Sequence, residues 1–214
     1  MKIPVDWTFK SQSVADGFDD HVREQLPWYN IATSMTKHLV RNYLPADGTF
    51  IDLGCSTGNI SKACKGELLS RAAKIVNVDN SNAMAQKFEG VGSVTVANIE
   101  DYELPRFDVC VMFLSLMFVP VNKRSELIID LMRKTNKGGA VIIVDKMESL
   151  AGYSGQVINR ITLSNKLDAG CKPDEILKKE LSLAGVQRPV NPELLHSFTQ
   201  WFQIGEFCGY LFEG

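Results

Sequence analysis

The hydrophobic pattern changes character twice along the chain. Through the first fifty residues apolar positions recur at mixed three- and four-residue steps, over 14–26 (VADGFDDHVREQL) and 29–44 (YNIATSMTKHLVRNYL). That spacing predicts two helices, split by Pro27 and closed by Pro45. From residue 49 onward short apolar runs alternate with helix-length segments. Strands are predicted at 49–53, 74–78, 93–97, 107–114 and 140–144, with helices at 59–72, 81–88 and 122–135. The runs VCVMFL and AVIIV are almost wholly apolar, as strands buried on both faces are. The last seventy residues break the alternation. Two helices, 154–167 and 173–184, precede two strands at 198–204 and 207–212, and only Gly205-Glu206 separates those strands, the spacing of a hairpin.

Successive strands joined by helix-length crossovers run parallel, with helices covering both faces. The expected fold class is therefore α/β: a Rossmann-like, doubly wound, mostly parallel seven-stranded sheet with an antiparallel C-terminal hairpin and an N-terminal helical extension. One domain is expected over 1–214, with 1–47 as the helical extension or lid and 48–214 as the core. Hydrophobic residues make up 45% of the 214 and charged residues 22%, which suits a sizeable core and excludes a disordered chain, a collagen-like fibre or a small disulfide scaffold.

Lys plus Arg number 23 against 25 Asp plus Glu, so no global charge favours nucleic acid, and direct nucleic-acid binding is not expected. The five cysteines are scattered without a C-x-x-C, and the three histidines lie far from any cysteine pair. No metal site is expected, and reduced thiols place the protein in the cytoplasm. The start of the chain lacks an apolar stretch of signal-peptide length. Val109 to Val121, the longest apolar stretch, is interrupted by Ser115 and Pro120 and falls short of the roughly 18 residues of a membrane span.

Candidate chemistry concentrates in IDLGCSTGN, residues 51–59. A buried strand ends in an acid, and a bend of small residues leads into a helix, as doubly wound sheets present backbone to a nucleotide. The G-x-G-x-x-G positions hold Gly54, Ser56 and Asn59, so the close approach a pyrophosphate needs is missing. S-adenosylmethionine makes weaker demands, and Gly54 and Gly58 suffice for its bend. Asp79, about twenty-five residues past Gly54 at the end of the second strand, is placed to accept both ribose hydroxyls. Asn98 and Ile99, after the third strand, suit the edge and face of an adenine ring. No Ser/His/Asp arrangement is legible, so covalent catalysis is not supported.

The order DLGCSTG, VDNSNAM, a polar residue after the third strand and KGGAVIIV resembles the class I S-adenosylmethionine-dependent methyltransferases. Asp6-Trp7-Thr8-Phe9, Pro27-Trp28-Tyr29, Gly54-Cys55-Ser56, Val78-Asp79-Asn80-Ser81, Gly152-Tyr153-Ser154 before Arg160, and Trp201-Phe202-Gln203 narrow the resemblance to the carboxy-S-adenosylmethionine synthases, which serve wobble-uridine modification of tRNA. That family converts S-adenosylmethionine and prephenate into carboxy-S-adenosylmethionine and phenylpyruvate. The resemblance implies that Tyr29, Gly54, Cys55, Ser56, Asp79, Asn80, Asn98 and Ile99 line a site for S-adenosylmethionine or its carboxylated form. It also implies that Arg160 grips the added carboxylate, for which its planar, permanently charged fork is suited. In that family a homodimer partner can contribute this arginine, which would share the site between subunits.

Three departures from the family pattern stand out. The segment between Lys146 and Gly152 is much shorter, Asn98 replaces an acid, and Phe113 replaces a polar asparagine near the end of the fourth strand. Three readings stay open: carboxy-S-adenosylmethionine synthesis, ordinary methyl transfer to a small-molecule acceptor, for which positioning supplies much of the rate, and a non-catalytic cofactor-binding or scaffold role.

Overall fold

The protein is described from a computed structural model, and the residues described are 8–214. Three helices come first: α1 (Gln12–Asp16), α2 (Phe18–Gln25) and α3 (Tyr29–Tyr43). The predicted helix over 14–26 is thus broken at Gly17, whose backbone (φ −115°, ψ 10°) is not helical. Strand β1 (Thr49–Leu53) opens the sheet, followed by α4 (Asn59–Ala63) and α5 (Lys65–Ser70), a pair predicted as one helix and divided at Cys64. Then come β2 (Lys74–Asp79), α6 (Asn82–Ala85), β3 (Val94–Val96), β4 (Phe107–Phe113), α7 (Val121–Lys134) and β5 (Thr135–Lys146). Helices α8 (Gly152–Asp168) and α9 (Pro173–Ser182) precede the hairpin of β6 (Thr199–Ile204) and β7 (Phe207–Glu213).

The seven strands lie in the order β3-β2-β1-β4-β5-β7-β6. The first five run parallel, and β7 pairs antiparallel with both β5 and β6. Strand β5 starts five residues earlier than its apolar run: Thr135 pairs with Phe107, and the register then shifts across 136–139 before Ala140 pairs with Val109. Gly139 is required there: a Cβ would sit 2.4 Å from the Asp108 carbonyl oxygen.

Alternation along the strands builds two cores. Ile51, Leu53, Met112 and Ile143 face α7 and the 192–195 turn, whereas Phe50, Val111, Ile142 and Val144 face the N-terminal helices. Trp28 joins the second core against Phe202 and Phe207, with ring centroids 5.6 and 4.8 Å away. This packing holds the carboxyl ends of β1, β2 and β4 at one rim, where the sheet changes its winding direction between β1 and β4 and leaves a crevice.

Candidate functional site

The bend after β1 is built from backbone conformations that few residues tolerate. Gly54 (φ +79°), Ser56 (φ +50°) and Gly58 (φ +89°) all lie in the left-handed region. The Gly54 and Cys55 amides donate to the Val78 carbonyl at 2.7 and 3.1 Å, which fixes the bend to the end of β2. A Cβ on Gly54 would sit 2.4 Å from the Ser115 Cβ. Ser115 in turn donates its hydroxyl to the Leu53 carbonyl at 2.8 Å, so the loop after β4 is locked against the same bend.

Two carboxylates face the crevice, and their surroundings differ. Asp79 accepts the Ser56 amide at 2.8 Å on Oδ2 and the Ser81 amide at 2.9 Å on Oδ1. Burial raises its pKa, against the lowering effect of those two N–H groups. Each oxygen keeps a further lone pair, enough to receive the two hydroxyls of a diol. Asp52 is 1% exposed, and its Oδ2 has no hydrogen-bond partner among the described residues. Burial, and then the neighbouring Asp79 charge, push it up to about 7. The Ser56 hydroxyl is likewise buried and unpartnered. Two orphaned polar atoms in one crevice mark a place that a polar, cationic ligand would complete.

The N-terminal helices close the walls. Asp19 of α2 accepts the Thr57 hydroxyl at 2.6 Å and the Asn59 amide at 2.7 Å, and Arg23 donates to Asn59 Oδ1 at 2.9 Å. The Arg23 guanidinium also lies 5.6 Å from the centre of the Tyr29 ring. Tyr29 meets Phe113 edge-on at 5.3 Å. Ser81 donates its hydroxyl to the Phe9 carbonyl at 2.6 Å, and the Phe9 ring packs edge-on against Phe118 and Phe18 at 4.9 and 5.9 Å.

The crevice has about 860 Å³ of empty space, partly open to solvent. Tyr29, Gly54, Cys55, Ser56, Asp79, Asn80 and Ile99 all line it. Asn98 stands one step back, accepting from Asn80 at 3.2 Å and donating to Asp101 at 3.0 Å. The Cys55 thiol is pushed up by burial and by the Asp52 and Asp79 carboxylates, and packs as a neutral group. Arg160 is not brought to this crevice within the chain. It lies exposed on α8, beside a separate shallow groove with Gly152, Gly155 and Asn159. Asp6 and Trp7 of the DWTF motif lie outside the described residues, whereas Phe9 is on the crevice wall.

Sequence reasoning gave no role to Asp52, Phe9 or Phe18. The signal for Asp52 was present: one acid inside an apolar strand, on the buried face of Phe50 two residues earlier. Phe9 stood in the DWTF motif without a role and nothing local marks Phe18; both reach the crevice through the packing of the N-terminal segment. Among the described residues no cluster of His, Cys, Asp and Glu could hold a metal ion, and no helix is long and apolar enough to cross a membrane.

Residues 51–143 match the family model described as a methyltransferase domain. The chain is 28% identical to a carboxy-S-adenosyl-L-methionine synthase of Staphylococcus epidermidis over 97% of both chains. It is 24% identical to the enzyme of that name from Pseudoalteromonas translucida, over 96% of this chain and 92% of the other. In fold it is similar to a plantazolicin methyltransferase solved with SAH, with a TM-score of 0.63 at 12% identity over 95% of this chain and 90% of that one. Human N-acetylserotonin methyltransferase gives a TM-score of 0.59 at 14% identity, with 96% of this chain matched to 57% of that chain. The segment similar to a methyltransferase domain carries the glycine bend and both carboxylates, and that match together with the relatives' names indicates an S-adenosylmethionine-dependent transferase.

Proposed function

We propose that the crevice binds S-adenosylmethionine and that the chain makes carboxy-S-adenosylmethionine from it, with prephenate as the small-molecule co-substrate. The observation that carries cofactor binding is the convergence of the Gly54 bend, the half-satisfied Asp79 carboxylate and the unpartnered Asp52 oxygen. The residues fit the group. Asp79 would hold the ribose diol, Ile99 would pack on the base, and Asp52 would face the positive charge of the amino acid portion. Tyr29 and Phe113 would exclude water from the apolar side. When bound, the cofactor supplies a carbon activated by a sulfonium. The carboxylated product is supported by the curated relatives of that name, matched over nearly the whole chain.

Arg160, exposed on α8 and outside the crevice of its own chain, would grip the added carboxylate from the partner copy of a homodimer. A cytoplasmic enzyme of this kind would make a donor for a separate tRNA-modifying protein rather than bind nucleic acid itself. Its whole length, 1–214, would serve as one domain, with 1–47 as a lid over the core.

Incubation with S-adenosylmethionine and prephenate should yield a cofactor heavier by one carbon dioxide unit, together with phenylpyruvate, as read by mass spectrometry. Arg160→Ala should abolish that product and leave cofactor affinity unchanged. A second reading, methyl transfer to a small acceptor, is favoured by the separation of Arg160 from the crevice and by apolar Phe113 at its wall. It prevails if no carboxylated product forms while the cofactor still raises the melting temperature.

A further inference from the structure

A second cavity, the chamber, adjoins the crevice and shares Phe9, Phe18, Val22, Leu114 and Phe118 with it. Leu114 and Phe118 belong to the loop after β4, residues 114–119, which therefore forms part of the partition between the two spaces. Leu114, where the loop begins, is held at φ +57°, a strained conformation for a branched side chain. Strain of this kind persists only where surrounding contacts over-determine the backbone. Here two ionisable side chains from different elements supply those contacts, and neither lines the crevice or the chamber.

Asp145, the last residue but one of β5, is fully buried. Its Oδ2 accepts the Leu116 and Met117 amides at 2.7 and 3.3 Å, and its Oδ1 accepts the Lys146 amide at 2.8 Å. Arg124 of α7 is 4% exposed, and it donates to the Val119 and Met117 carbonyls at 2.9 and 3.1 Å. The same guanidinium reaches the Arg188 and Pro189 carbonyls at 2.8 and 3.1 Å, while the Arg188 amide donates to the Met117 carbonyl at 3.0 Å. Met117 is thus gripped at both its amide and its carbonyl. Taking an acid and an arginine out of water is costly, and a well-packed apolar pair often serves a fold as well. Spending both on one loop points to a loop whose conformation matters. That loop reaches the site directly, since the Ser115 hydroxyl bonds the Leu53 carbonyl and Leu114, Ser115 and Phe118 all line the crevice.

We infer that Asp145 and Arg124 are positioning residues, which grip the loop at Met117 and so fix Leu114, Ser115 and Phe118 as the crevice wall that fits the cofactor. The inference rests on the cofactor reading of the crevice, since the wall is shaped for that ligand. An apolar replacement of either residue orphans the loop groups it satisfied. Leu114 is then free to leave its strained conformation and carry the wall away from the Gly54 bend.

S-adenosylhomocysteine serves as the probe, titrated calorimetrically into wild type and variants whose stabilities are read by urea unfolding. Asp145→Leu and Arg124→Met should each weaken the probe about tenfold or more. Asp145→Asn, which keeps an acceptor oxygen for the loop amides, should recover the affinity to within about threefold of wild type. Leu131→Ala, a core deletion on the same helix as Arg124 and outside both linings, separates positioning from stability. It should lower stability and leave the affinity within about twofold. Should Asp145→Leu and Arg124→Met fail to fold, Arg124→Lys decides, because it keeps the charge and loses the fork, and it should weaken the probe about fivefold. Wild-type affinity in Asp145→Leu and Arg124→Met, or in Arg124→Lys where those do not fold, would overturn the assignment alone. So would a loss in Leu131→Ala equal to theirs. A wild type that ignores S-adenosylhomocysteine would sink the cofactor reading and the assignment with it.

Discussion

The crevice and the chamber beside it are built on opposite plans. In the crevice the polar groups come from the carboxyl ends of three strands: Asp52 lies near the end of β1 and Gly54 follows it, Asp79 ends β2, and Ser115 follows β4. Their positions follow from backbone, and the site is rigid because β1 and β2 are locked through Val78. In the chamber the polar groups are lysine tips from β5, α8 and α9, on long side chains. The difference teaches that the crevice should fail abruptly when its backbone is disturbed, whereas in the chamber Lys146 and Lys166 already balance Glu180 and Glu206.

The largest effect should come from Gly54→Ala. Its Cβ would collide with Ser115 at 2.4 Å at a φ of +79°, so we expect a loss of about 3 kcal/mol or more in denaturant unfolding and no measurable cofactor binding. A stable, binding-competent variant would break the claim that backbone sets the crevice.

Asp79→Asn should come next. It replaces a charge-assisted acceptor that already serves two amides, and cofactor affinity should drop roughly tenfold to a hundredfold, matching about 1.5–3 kcal/mol for a hydrogen bond to a charged group. Isothermal titration with S-adenosylmethionine measures this directly.

Asp52 sharpens the comparison through pH. Its carboxyl is raised from 3.8 to about 7, so between these values the folded chain holds a proton that the unfolded chain has released. Stability should therefore fall as pH rises from about 4 to 7 and level off above, with buried Asp145, also pushed up to about 7, adding in the same direction. Cofactor affinity should run the opposite way, rising as Asp52 ionises between about pH 6 and 8. In Asp52→Asn the affinity should lose that dependence and the stability slope should flatten, as read by thermal melts and titrations across pH.

The smallest effect belongs outside both regions. Arg133 pairs with Asp130 at 2.6 Å on the exposed face of α7, and Arg133→Ala should change stability by less than about 0.5 kcal/mol and leave cofactor binding unchanged.

Much of the sheet was legible. The apolar runs of β1, β4 and β5 and the two-residue link in the hairpin carry their own strand signals, and each of the seven expected strands is present, with β5 extending beyond its apolar run at both ends. Helix continuity was less legible. Gly17 and Cys64 interrupt segments whose periodicity reads as unbroken, because local spacing does not register where a helix must turn to pack. In the crevice, Gly54, Asp79 and Ile99 were legible because each lies at or within three residues of a strand end. Phe9 and Phe18 were not, since their place on the wall depends on Ser81 and Asp19 anchoring the N-terminal helices.

The sequence by itself determined the strand order along the chain, the bend at Gly54 and the carboxylate at Asp79. These rest on steric limits of the backbone and on hydrophobic period, which act within a few residues. The tertiary structure alone decided that the Asp52 carboxyl is buried beside Asp79 with its Oδ2 unpartnered, and that Lys146, Lys166 and Lys179 share one wall while Arg160 lies elsewhere. Electrostatic and packing relations of this kind depend on distance through space, and side chains that far apart in sequence meet only once the core has closed.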